Sequence, residues 1–131
     1  MQSTTINNKI QVIQGDDQIY RYIAINNCQL DLETLEKMTV TGDTWNGSRL
    51  CANLIDIRNM GFIDSKARAY AAAQFRPHVA GTAVLINSKI SEYFANLYLK
   101  FSQPKTPTKL FTSEDDALNW LRSQMAKHKI G

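Results

Sequence analysis

Few residues in this 131-residue chain could do chemistry. Asp56 and Asp64 are a conceivable carboxylate pair for acid and base work. A strand-end hydrogen bond for Asp56 and a helix cap for Asp64 account for them more simply. A nucleophile needs a Ser or Cys within hydrogen-bond reach of a positioned base, and His78 and His128 are the only histidines. His78 follows Pro77 at a helix end and His128 lies near the end of another helix, where side chains are solvated or face the helix dipole. Neither has a metal-ligand spacing. Cys28 and Cys51 form no CxxC motif, and Cys51 falls inside an apolar run, so both read as buried, reduced thiols. The sequence holds no GxGxxG, Walker loop, HExxH or GxSxG. No catalytic residue, metal site or cofactor is therefore assigned, and the chain reads as non-enzymatic.

The remaining polar candidates depend on the elements that carry them. Residues 50–57 are an apolar run of strand length ending at Asp56, followed by Gly61 as a chain reverser and by Asp64-Ser65 opening an alanine-rich helix to about Arg76, before Pro77. This is how a buried parallel strand passes into its crossover helix. Residues 82–86 are a second buried strand, with Asn87-Ser88 behind it. Ligands of open α/β sheets meet the carboxyl ends of such strands, where helix N-termini present free N–H groups. That edge would gather Asp56, Arg58, Asp64, Ser65, Lys66, Arg68, Asn87 and Ser88.

Upstream, residues 9–14 and 18–25 flank Gly15-Asp16-Asp17 and predict a hairpin. Tyr20, Tyr22 and Ala24 alternate with Ile19, Arg21, Ile23 and Ile25, so both faces of the second strand should be covered. Asp31 predicts the cap of a short helix carrying Leu32, Leu35 and Met38, and residues 39–48 read as a polar loop with Trp45 covering the end of the core. A third helix follows Ser88, with Ile90, Phe94, Leu97, Tyr98 and Phe101 as its stripe. Tyr93 and Leu99 widen that stripe enough to predict a second contact, with Tyr93, Phe94, Leu97, Tyr98 and Phe101 as dimer or apolar-ligand residues. Residues 109–111 are a short last strand, and Ser113 starts a fourth helix that turns Ala117, Leu118, Leu121 and Met125 inward. Leu54, Ile55, Ile57, Val84, Leu85 and Ile86 are the predicted core of the two central strands.

At 44% hydrophobic and 21% charged residues the chain is neither disordered nor fibrous, and its length predicts one domain over 1–131. The net charge of +3 is spread rather than gathered in a stripe, which argues against nucleic acid as a partner. The N-terminus lacks a charged-then-apolar signal layout and no run is long enough to span a bilayer, so no integral membrane association and a cytoplasmic protein are expected.

Leu54-Ile-Asp-Ile-Arg-Asn-Met-Gly-Phe-Ile-Asp-Ser65 resembles the STAS fold of anti-sigma-factor antagonists, whose central strand ends in Leu-Asp-Leu and whose next helix opens with Asp-Ser-Ser-Gly. Over nearly its whole length the chain is similar to small bacterial SpoIIAA-like (STAS domain-containing) proteins of unassigned function. Arg58, Asp64, Ala67-Arg-Ala-Tyr70, Leu97 to Pro107, Lys109-Leu-Phe-Thr112 and Ala117 to Leu121 carry that similarity. The resemblance implies an α/β, two-layer STAS-like sandwich with a mixed sheet of about five strands and four helices. It also implies a regulatory or protein-interaction module with an unknown protein partner. In the antagonists the second serine of Asp-Ser-Ser-Gly is phosphorylated; the matching residue here is Lys66, so the phosphoserine switch is not expected, and Ser65 reads as a helix-capping hydroxyl. The alternative is a small-ligand domain, taking an anion or nucleotide at the strand edge or an apolar molecule under the third helix, the latter by a broader likeness to CRAL-TRIO-type lipid carriers.

Overall fold

The computed structural model describes residues 2–74, 76–87 and 106–130. The third predicted helix, with Ser88, Tyr93, Phe94, Leu97, Tyr98 and Phe101, lies outside the described residues. A mixed six-stranded sheet forms the frame. It contains β1 (Ser3–Ile6), β2 (Ile10–Gln14), β3 (Ile19–Ala24), β5 (Cys51–Asp56), β7 (Val79–Leu85) and β8 (Thr108–Phe111), in the spatial order β1-β2-β3-β5-β7-β8. The first three strands pair antiparallel, and β3, β5, β7 and β8 are parallel. The expected hairpin and the two central strands are in place, and β3 is interior, as its two-faced composition predicts.

The sheet exceeds the expected five strands because of β1. It is mostly exposed and apolar only at Ile6, so no alternation marks it. It is held by the turn at Asn7 and Asn8, whose φ values of 53° and 55° suit a tight hairpin. Two more strands, β4 (Cys28–Leu30) and β6 (Met60–Ile63), make a separate parallel pair too short to be read from periodicity. Gly61 sits inside β6 and does not reverse the chain; the reversal is at Arg58-Asn59, closed by the Met60 N–H donating to the Ile57 carbonyl at 3.1 Å.

Three helices are described. One, α1 (Leu32–Asn46), is capped by Asp31, whose carboxylate accepts the Thr34 N–H at 3.1 Å. It runs through the stretch expected to be a loop, ending at Gly47, which takes φ 65° and donates its N–H to the Asp43 carbonyl. The glycine and polar residues at 39–46 have weak helix propensity, but Gly42 and Asn46 are buried and Trp45 packs against the core, so tertiary contacts hold the last turns. The second, α2 (Ser65–Ala73), stops about three residues earlier than expected; Pro77 bars the α conformation from Arg76, so the helix must end before it.

The third, α3 (Glu114–Ile130), begins at Ser113, whose hydroxyl accepts the Asp116 N–H at 3.3 Å. It covers one sheet face, with Ala117 and Leu121 buried against Ile19, Leu54, Ala83 and Leu85 and with Leu118 and Met125 packed alongside. The opposite face carries Tyr20, Tyr22, Cys51 and Val79 under α1 and α2. Leu54, Ile57, Val84, Leu85 and Ile86 are buried as expected, whereas Ile55 is only half-buried.

Candidate functional site

At the carboxyl edge, Asp56 and Arg58 form a closed unit. Asp56 Oδ1 accepts from the Arg58 N–H and Nε, each at 3.0 Å, and Oδ2 accepts from Nη2 at 2.7 Å. Asp56 is buried and Arg58 exposed, so the predicted strand-end bond is present and the carboxylate's lone pairs are largely taken. Asn87 is exposed just beyond the end of β7. Asp64 caps α2, accepting the Ala67 N–H at 2.8 Å; the cap is this carboxylate and not the Ser65 hydroxyl. Ser65 and Lys66 are exposed and Arg68 is half-buried.

The expected single edge is in fact divided. Because β6 intervenes between β5 and α2, the helix starts beside β4, where the Asp64 N–H donates to the Leu30 carbonyl at 3.1 Å. Asp56, Arg58 and Asn87 belong to the end of the main sheet, while Asp64, Ser65, Lys66 and Arg68 belong to the start of α2 next to the two-stranded sheet. Among the described residues no hydrogen bond joins Asp56 to Asp64.

A concavity lies elsewhere. A cavity of about 140 Å³ opens between α1, α2 and the sheet, running from the amino ends of the parallel strands along the sheet face as far as Ile55. Its floor includes a transverse row in register: Tyr20 pairs with Asn53, Asn53 with Thr82, and Thr82 with Thr108. Tyr20 is satisfied within the protein, accepting from Gln14 Nε2 at 3.1 Å and donating to Asn46 Oδ1 at 3.5 Å. The rim carries an ion pair between Arg76 and Asp43, bridging the segment after α2 to α1. In sequence this row shows only as polar residues, Asn53 and Thr82, interrupting apolar strand runs; their alignment depends on register.

The cavity also brings a thiol and an imidazole to one place. Cys51 and His78 both line it, and the Cys51 N–H donates to the His78 carbonyl at 3.0 Å. Burial pushes the Cys51 thiol up to about 11, and burial together with Arg76 pushes His78 below the usual imidazole range. An activated thiol needs the opposite shift, and no side-chain hydrogen bond joins Cys51 to His78 among the described residues. Burial likewise raises the Tyr22 phenol and the Cys28 thiol. Both cysteines are free and buried. Among the described residues there is no group of three or more His, Cys, Asp or Glu that could hold a metal, and no helix long and apolar enough to cross a membrane.

A family model for a domain of unknown function, DUF7793, matches residues 13–125. The chain belongs to the DUF7793 family. No curated protein matches this DUF7793 chain. Among solved structures it is similar to an uncharacterized protein of the DUF3478 family with a SpoIIAA-like fold from Shewanella loihica PV-4. The identity is 19%, covering 92% of this chain and 98% of that one, with a TM-score of 0.57. That likeness establishes the fold of this DUF7793 domain as SpoIIAA-like. A protein of unknown function from Arthrobacter sp. FB24 aligns at 24% identity over 85% of this chain and 97% of its own, but with a TM-score of only 0.30.

Proposed function

We propose that this DUF7793 domain is a non-enzymatic interaction module that docks an acidic surface of a partner protein through the outer face of α2. The observation that carries this reading is how little of α2 is consumed by its own fold. Only Ala67 and Ala72 are buried, while Ser65, Lys66, Ala69 and Ala73 are exposed on a capped helix whose backbone is already ordered. Short side chains lose little rotamer entropy on docking, so such a face can be covered at low cost. Charge sets the partner's sign: Asp56 is paired with Arg58, and at the helix start the two cations Lys66 and Arg68 outnumber the single Asp64 carboxylate. The STAS resemblance agrees, since the antagonists of that fold work by protein docking.

Position-specific photocross-linking in the native cells tests this. A cross-linker at position 69 should yield one discrete protein adduct that fades with Lys66→Glu and with added salt, while a cross-linker at position 127 of α3 should not. Each exposed charge pair should contribute about 0.2–1 kcal/mol. An adduct indifferent to Lys66→Glu, or equal adducts at both positions, would remove the proposal.

A further inference from the structure

We infer that the cavity beneath α1 and α2 is a binding site for an uncharged, single-ring small molecule bearing one hydrogen-bonding group, a phenol-like ligand. The first observation is unused hydrogen-bonding capacity. Tyr22 is 7% exposed and lines the cavity, yet its hydroxyl has no protein hydrogen-bond partner among the described residues. The Asn53 amide, half-buried in the middle of β5 and facing the same space, also has none. Asparagine is disfavoured inside strands, so a half-buried Asn53 in the middle of β5, with its amide open to the cavity, is not explained by strand propensity.

The second observation is that α1 makes room for the Tyr22 hydroxyl. A Cβ on Gly42 would lie 2.4 Å from Tyr22 Oη, so the glycine, itself a cavity residue, keeps that oxygen in place at the cost of helix propensity. Size and charge then define the ligand. A cavity of about 140 Å³ is close to the roughly 150 Å³ of an engineered cavity that holds one benzene. Tyr70, Leu35, Met38 and Ile55 supply apolar and aromatic wall for such a ring. The rim guanidinium of Arg76 is neutralised by Asp43, so nothing in the site calls for an anion. Asn53 can both donate and accept and Tyr22 can do either, which matches one hydroxyl on the ring.

Amide chemical-shift titration of the full chain with phenol, benzene and benzoate tests the assignment. Phenol should give saturable shifts centred on Asn53 and Thr82, with benzene and benzoate each weaker by at least about fivefold. Asn53→Leu, close in volume and at home in an apolar strand, should keep the native spectrum, lower phenol affinity roughly tenfold, the equivalent of one hydrogen bond, and erase the preference over benzene. Filling the space with Ala71→Phe should abolish the shifts. Benzene binding as tightly as phenol would mean an apolar void. Absence of saturable shifts would mean a water-filled one. Phenol shifts unaltered by Asn53→Leu would place binding elsewhere. Any of these overturns the inference.

Discussion

Asp64 and Ser65 are neighbours with separate fates. The Asp64 carboxylate is spent on the Ala67 N–H, so Asp64→Ala should cost about 0.5–2 kcal/mol, read as a lowered urea midpoint with an unchanged slope. An unchanged midpoint refutes the cap. Ser65 is exposed beside Lys66, which by the STAS resemblance matches the antagonists' phosphoserine position. The acceptor serine of that resemblance is therefore missing, and a phosphate on Ser65 would sit against the Asp64 carboxylate that already occupies the helix start. Intact-mass analysis of protein from its native cells should therefore show no phosphorylated Ser65, and a substantial phosphorylated population would restore the switch.

At the scale of the element, α1 is a helix maintained against its local sequence. Gly42→Ala should raise helix propensity by about 1 kcal/mol, yet the new methyl would collide with Tyr22 Oη, and overpacking of this kind costs about 1–3 kcal/mol. The net effect should be destabilising. Tyr22→Phe removes the oxygen, so Gly42→Ala made in that background should be neutral or stabilising. A double-mutant cycle by thermal denaturation reads the difference, and additive effects would show that the two residues do not meet.

For the whole molecule, burial of neutral acids fixes the alkaline limit. Cys51 titrates higher in the folded chain than in the unfolded one, so the unfolded state releases its proton first as pH rises. Stability is then flat below about pH 9 and falls up to about pH 11, by on the order of 2–3 kcal/mol for Cys51. The raised Tyr22 phenol adds a fall of the same sign, starting near its ordinary pKa of about 10. The melting temperature should drop across this window, less steeply in Cys51→Ala, and a flat profile to about pH 11 would contradict the burial. Dimerisation through Tyr93, Leu97 and Tyr98 remains an expectation from the sequence, checked by sedimentation velocity at high micromolar protein. A monomer there rejects it.

Long apolar runs and capping residues made much of this protein readable before folding was considered. The strands around residues 50–57 and 82–86 have no other stable place than a sheet interior, and Asp31, Asp64 and Ser113 cap helices because the required contact is only three residues away. The resemblance at Leu54 to Ser65 implies the SpoIIAA-like fold seen in the similar solved structure. What the sequence could not carry depends on contacts between distant segments. Strand β1 exists through its ladder with β2, the last turns of α1 through Gly42 and Tyr22, and the division of the predicted edge through the pairing of β4 with β6. The polar row from Tyr20 to Thr108 is the clearest case, because four residues spread along the chain become neighbours only when the register of three parallel pairings is fixed.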